Sequence, residues 1–294
     1  MKTVTFKTTD SIKLEADVFG ADAPGGPLKP VILFIHGGAL IMGARNSIRA
    51  DQLNRYVAAG YVVISIDYRL APETLLSALV EDVEDAIKWI RSTGKDAFGV
   101  DPDRMAVIGH SAGGYLTLVT GHRADPPPKA LISFYGYGNI AGDWYGKPDP
   151  FYNTFDRITE QQAYSVVGQD ELVDGTDPER RQFYLWCRQN GLWPKNVGGC
   201  EPIGELDWFI PYSPAENVGE TYPPTLLLHG TADTDVPYEQ SVHMAERLAE
   251  AGVEHEFITI KDGPHGFDHN PDSTTSQQVA DAFDHVIEFL NEHV

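Results

Sequence analysis

A chain of 294 residues, 42% of them hydrophobic, can bury a substantial core without metal or disulfide staples. Its formal net charge of -21 repels phosphate backbones and anionic headgroups, which argues against nucleic-acid binding and stable membrane association. The two cysteines, Cys187 and Cys200, fall in no Cys-x-x-Cys or metal-ligand spacing and are expected as thiols, so redox and zinc chemistry are poorly supported.

Val4–Phe6 and Leu14–Val18 read as short strands joined by a turn at Asp10-Ser11, an antiparallel pair. Ala21–Pro30 is a Gly- and Pro-rich loop. Val31–Ile35 is a continuous apolar run, as expected of a strand buried on both faces, and Tyr61–Ile66, Met105–Ile108, Ala130–Phe134 and Thr225–Leu228 repeat it. Between them, Leu76, Val80, Val83, Ile87 and Ile90 form a helical stripe that Gly94 can end. Val242, Ala245, Leu248 and Ala249 do the same before Gly252, and Val279, Phe283, Val286 and Leu290 make a last helix. Strands alternating with amphipathic helices predict a mostly parallel sheet covered on both faces.

From about Gly136 to Pro224 that rhythm stops. The stretch is rich in Gly, Pro, Asp and aromatics and holds four of the five tryptophans, Trp144, Trp186, Trp193 and Trp208. A structureless loop of such length is improbable in a compact domain, so residues 136–223 are expected as a folded lid or insertion within a single 1–294 domain. Its aromatics read mainly as the lid's own small core. Trp144, Tyr152, Trp186 and Trp208 are the candidates for substrate contact.

Four motifs carry chemistry. His36-Gly37-Gly38-Ala39 follows the strand Val31–Ile35, and its glycines let backbone N–H groups approach a substrate. Gly109-His110-Ser111-Ala112-Gly113 lies between the strand Met105–Ile108 and the helical stretch Tyr115–Gly121, the strand–turn–helix setting that gives G-x-S-x-G its meaning. Ser111 is therefore the expected nucleophile, with the N–H groups of Gly37, Gly38 and Ala112 as oxyanion donors. In the run His229–Pro237, Asp233 is the preferred orienting acid and Asp235 the alternative. Among ten histidines, His265 in Gly263-Pro264-His265-Gly266-Phe267 is the expected base, with His269 as runner-up in the same loop. His36 and His229 stand at strand ends and read as structural; His110 is expected to point away from the reacting centre.

Together with Asp67-Tyr68-Arg69-Leu70-Ala71-Pro72-Glu73, these motifs resemble the esterase/lipase group of α/β hydrolases related to hormone-sensitive lipase. They occur in the family's order, Ser before Asp before His, and leave only the insertion unmatched. The resemblance implies the α/β-hydrolase fold, with the lid inserted before the penultimate strand. Ala39 stands where the family often has a third glycine, and only about 35 residues precede His36 where the hormone-sensitive-lipase branch has a cap. The missing cap and the long central insertion are more like carbohydrate-ester or dipeptidyl-peptidase-like relatives. Asp67, Arg69 and Glu73 read as a structural set that can fix the loop beside the oxyanion site.

The expected activity is hydrolysis of short-chain, aryl or carbohydrate esters through an acyl-enzyme. The alternative is a small aminopeptidase- or formamidase-like activity on the same triad. A binding module that has lost its chemistry would usually lack the serine or the histidine. No cofactor and no metal are expected, the partner is a small ester, and a homodimer is compatible with the sequence. The N-terminal residues lack the apolar core of a secretory signal and no apolar run reaches membrane-span length, so a cytoplasmic location is expected.

Overall fold

The computed structural model of the chain describes residues 1–22, 25–269, 271 and 275–294; residues 23 and 24 of the predicted Gly/Pro-rich loop lie outside the described residues. Among the described residues, eight strands form one sheet: β1 (Lys2–Thr8), β2 (Lys13–Phe19), β3 (Lys29–Ile35), β4 (Val62–Ile66), β5 (Val100–His110), β6 (Ala130–Phe134), β7 (Thr225–Gly230) and β8 (His255–Ile260). Their lateral order is β1-β2-β4-β3-β5-β6-β7-β8. The β1–β2 and β2–β4 pairs are antiparallel and all the others parallel.

The helices are α1 (Ala50–Ala58), α2 (Leu76–Phe98), α3 (Ala112–Arg123), α4 (Asp143–Gly146), α5 (Glu160–Tyr164), α6 (Arg181–Asn190), α7 (Trp193–Gly198), α8 (Pro202–Phe209), α9 (Glu239–Glu250) and α10 (Ser276–His293). Alternate strand residues serve opposite faces. Val31, Leu33 and Ile35 share a core with Leu79 and Ile90 of α2, Leu116 of α3 and Leu248 of α9. Ile32 and Phe34 share the other core with Tyr56 of α1 and Phe283 and Leu290 of α10. This two-sided burial explains why the central strands read as unbroken apolar runs.

Two helix readings need correction. Gly94 does not end α2; the helix runs on to Phe98 and is capped by Gly99 at φ 65°. Gly94 is buried within it because a side chain there would meet Val100 Cγ2 at 2.7 Å, so its role is close approach to β5. In α9 the core-facing residues are Ser241, Met244 and Leu248, which rotates the face by about one position from the predicted stripe.

The segment between β6 and β7 carries α4 to α8 and, as its sequence suggested, no regular strand among the described residues. It is tied closely to the loops that follow β3 and β4. Gly175 and Gly43 exchange backbone hydrogen bonds of 2.9 and 3.2 Å, Leu70 N–H donates to Leu172 O, and the Trp193 indole N–H donates to Ala39 O at 3.0 Å. Arg180, just before α6 and 4% exposed, makes the main tie. Its guanidinium donates to Ile41 O, Ala71 O and both carboxylate oxygens of Glu73, at 2.7 to 2.9 Å.

Replacing Arg180 by Met would leave Glu73 as an uncompensated buried charge and strip the carbonyls of Ile41, Ala71 and Val166 of their donor, a change that costs about 3–5 kcal/mol. Arg181→Met, one residue on and exposed, should cost less than about 1 kcal/mol. Urea unfolding of the two variants tests this, and equal stability would show that Arg180 does not anchor the loop.

Candidate active site

β5 ends at His110 and α3 begins at Ala112, so Ser111 alone makes the turn between them. It does so at φ 54° and ψ -118°, a conformation that L-residues rarely adopt. Its neighbours permit nothing looser. A Cβ on Gly109 would collide with the carbonyl of Gly113, and one on Gly113 with the carbonyls of Ile35 and His36. Ser111 is thereby lifted to the carboxyl edge of the sheet at the start of a helix, whose first N–H groups lack intrahelical partners.

The loops after β7 and β8 bring the other two residues to it. Ser111 Oγ lies 3.1 Å from His265 Nε2, and His265 Nδ1 lies 2.7 Å from Asp233 Oδ2. An ionised carboxylate only accepts, so Nδ1 carries the proton and Nε2 is left free to accept from the serine hydroxyl. The Asp233 side chain is fully buried and densely bonded: the N–H groups of Asp235 and Val236 donate to Oδ1, and His229 Nε2 adds 3.2 Å to Oδ2. Burial would raise its pKa, yet the hydrogen bonds and charge of His229 and His265 hold the carboxyl well below the usual range. Asp233, not Asp235, is the partner of Nδ1. Asp235 Oδ2 instead stands 3.5 Å from Nε2, on the cleft side of the ring.

Four other histidines surround these residues, and His110, expected to point away from the reacting centre, is among those lining the cleft. His36 stacks on Tyr68 at 4.2 Å and pairs through Nδ1 with Gly37 O, and burial pushes it down to about 4. Burial also pushes His110 down to about 4, with Nε2 held 2.9 Å from Gln52 Nε2. His229 is bonded to Ser241 and Asp233. His269 lines the cleft, but the contact with Ser111 belongs to His265. His110, Asp268 and His269 bring three metal-ligating atoms within 4.8 Å of one another, as do Glu254, Glu292 and His293.

Gly37 and Gly38 face Ser111 across a cleft of about 370 Å³. A Cβ on Gly37 would lie 2.8 Å from His110 O and 3.3 Å from Ser111 Cβ; Gly38 adopts φ 113°. Ala112, as the first residue of α3, adds an N–H without a helical acceptor. Asp67 and Glu73 do brace this loop, through Arg45 and Arg180 respectively. Arg69 departs from the predicted set, pairing with Asp82 and Glu171 instead.

None of Trp144, Tyr152, Trp186 and Trp208 lines the cleft. Trp144 stacks on Tyr145, Trp186 packs on Phe183 and Tyr164, Trp208 packs on Phe209 and Tyr212, and Tyr152 covers Arg188. The insertion aromatic that reaches the cleft is Tyr184, which donates its hydroxyl to Asp235 Oδ1. Sequence reading missed this and the two buried arginines, Arg180 paired with Glu73 and Arg188 paired with Asp149 and Asp235. Both cysteines are free, Cys187 buried. No helix among the described residues is long and apolar enough to cross a membrane.

Residues 32–269 match a known family described as alpha/beta hydrolase fold. The chain belongs to the alpha/beta hydrolase fold family. This alpha/beta hydrolase is 28% identical over 339 residues to the non-reducing polyketide synthase adrD of Penicillium roqueforti, a similarity covering 100% of the chain. It spans 14% of that synthase's length. Its fold is shared with a protein from Staphylococcus aureus subsp. aureus Mu50, at TM-score 0.81 and 24% identity, covering 100% of this chain and 99% of that one. It is also shared with the esterase Est2 of Thermogutta terrifontis in its propionate-bound form, at TM-score 0.70 and 22% identity, covering 99% and 93%.

Burial alone would lower the His265 pKa, but the charges of Asp235, Asp233 and Asp268 and the Asp233 hydrogen bond outweigh it and raise it. The imidazole of this alpha/beta hydrolase should therefore titrate above the ordinary histidine range, and lose its acceptor at Nε2 as pH falls through that raised pKa. An NMR titration of the His265 ring checks this; a midpoint at or below that of an ordinary histidine, about 6.5, would contradict the electrostatics.

Proposed function

We propose that this alpha/beta hydrolase is a serine carboxylic-ester hydrolase that works through an acyl-enzyme on short-chain, aryl or carbohydrate esters. The observation that carries the reading is the unbroken relay from Ser111 Oγ to His265 Nε2, at 3.1 Å, and from His265 Nδ1 to Asp233, at 2.7 Å. Ser111 Oγ attacks the ester carbonyl while its proton passes to Nε2. The negative charge that forms on the carbonyl oxygen rests on the N–H groups of Gly37, Gly38 and Ala112, each such donor lowering the barrier by about 2.7–4 kcal/mol. His265 then returns the proton to the leaving alcohol as the tetrahedral intermediate collapses. Water attacks the acyl-enzyme with the same imidazole as base, and the acid and free Ser111 are released. The modest cleft favours a small acyl group, in keeping with the propionate in the Thermogutta terrifontis esterase.

Ser111→Ala should lower 4-nitrophenyl acetate turnover by at least about 10³-fold and abolish labelling by a fluorophosphonate, with thermal unfolding unchanged within a few degrees. Activity within tenfold of the parent would refute the nucleophile and with it the mechanism.

A further inference from the structure

Beside the relay lies a second, more deeply built group that the acyl transfer as described does not use. Arg188 of α6 is 1% exposed and enclosed by rings, its guanidinium carbon 4.6 Å from the centroid of Tyr152, 4.9 Å from Tyr145, 5.6 Å from Trp144 and 5.8 Å from Tyr184. Its Nη1 donates to Asp235 Oδ1 at 2.8 Å and to Asp235 O at 3.0 Å, and its Nη2 donates to Asp149 Oδ2 at 2.5 Å. The Tyr184 hydroxyl donates to the same Asp235 Oδ1. One oxygen of Asp235 is thus held by two donors from the insertion. The other, Oδ2, faces the cleft 3.5 Å from His265 Nε2.

That position is specific with respect to the reaction. In the collapse step the leaving oxygen must come within about 3 Å of Nε2 to take its proton. A carboxylate oxygen already beside Nε2 then lies next to the leaving alcohol. We propose that Asp235 Oδ2 accepts a hydrogen bond from a free hydroxyl on the alcohol part of the substrate, on the carbon adjacent to the esterified one, so that the preferred substrates are monoacyl esters of polyols. This rests on the esterase reading and narrows it. A neutral donor fits better than an ammonium group, because the Arg188 charge already sits 2.8 Å from the same carboxylate and would repel a second cation. The aromatic enclosure keeps Arg188 in place, and Arg188 with Tyr184 fixes the rotation of the carboxylate before substrate arrives.

Three acetates test the assignment with the whole chain. 2-Hydroxyethyl acetate carries the hydroxyl; 2-methoxyethyl acetate has a comparable leaving group but donates no hydrogen bond; propyl acetate matches the size. Wild-type kcat/KM should favour the hydroxyl ester over both others by at least about tenfold. In Asp235→Asn the amide oxygen should take the place facing Arg188 and Tyr184, turning the NH₂ group, a donor, toward the cleft. The ratio should then fall close to one, whatever happens to the absolute rates. A wild-type ratio near one, or a ratio kept in Asp235→Asn, overturns the proposal, and the wild-type ratio decides by itself where the variant does not fold. Ser111-dependent hydrolysis of 4-nitrophenyl acetate without preference among the three acetates would remove the hydroxyl site and leave the esterase. No Ser111-dependent turnover of any ester would remove both.

Discussion

Backbone packed directly on backbone at the end of β5 is the constraint on which the rest of the molecule depends. Gly109 and Gly113 touch each other's main chain, and Gly113 lies against the carbonyls at the end of β3, so strand and helix meet with no side chain between them. Ser111 takes its unusual backbone angles as the only way round that corner. Such strain persists where the surroundings over-determine it, and here they do: residues 112–121 of α3 are all buried. The parallel order β3-β5-β6-β7-β8 then sends each strand's carboxyl end to the same edge, where the loops after β3, β7 and β8 close on the serine.

Charge inside this acidic chain is distributed with economy. Asp233 is surrounded by donors and stays ionised, and the imidazole it orients stands between two carboxylates that favour its protonated form. Protonation of His265 in the proposed acyl transfer would therefore occur in a field prepared for it. The buried arginines serve the converse purpose. Arg180 fixes the loop that carries Gly37 and Gly38, and Arg188 fixes Asp235 on the opposite wall, both from one short stretch of the insertion.

What could be read from the sequence was whatever has a local cause. Val31–Ile35 and its counterparts declare themselves because a strand covered on both faces needs apolar residues throughout, and the Ser111 turn because its glycines are required at fixed offsets. Gly94 misled because a glycine that ends a helix and one that lets a helix touch a strand look alike until the strand is in place. The insertion resisted for a different reason. Its helices α4, α5 and α7 span only four to six residues each, too few for a periodic stripe, and its fold depends on pairs such as Arg180 with Glu73 that lie far apart in the chain. The two carboxylates Asp233 and Asp235 could be ranked but not given separate tasks, since only the path of the loop shows that one turns to each ring nitrogen. A hint was present: Arg188 follows Tyr184 by one helical turn in a chain with only 22 lysines and arginines, and such an arginine is seldom a surface residue.

The bridge that Arg188 makes from α6 to the loop after β7 joins a segment of irregular, idiosyncratic sequence to the loop that carries Asp233. Selection acting on the cover of such an enzyme is therefore never confined to the cover. A graft from a relative that lacked arginine here would strip Asp149 and Asp235 of the guanidinium they share, and the loop bearing Asp233 would have to readjust. Exchange of specificity among such enzymes should proceed by paired replacement of insertion and acid loop, and histories of this lineage should show the two changing in step.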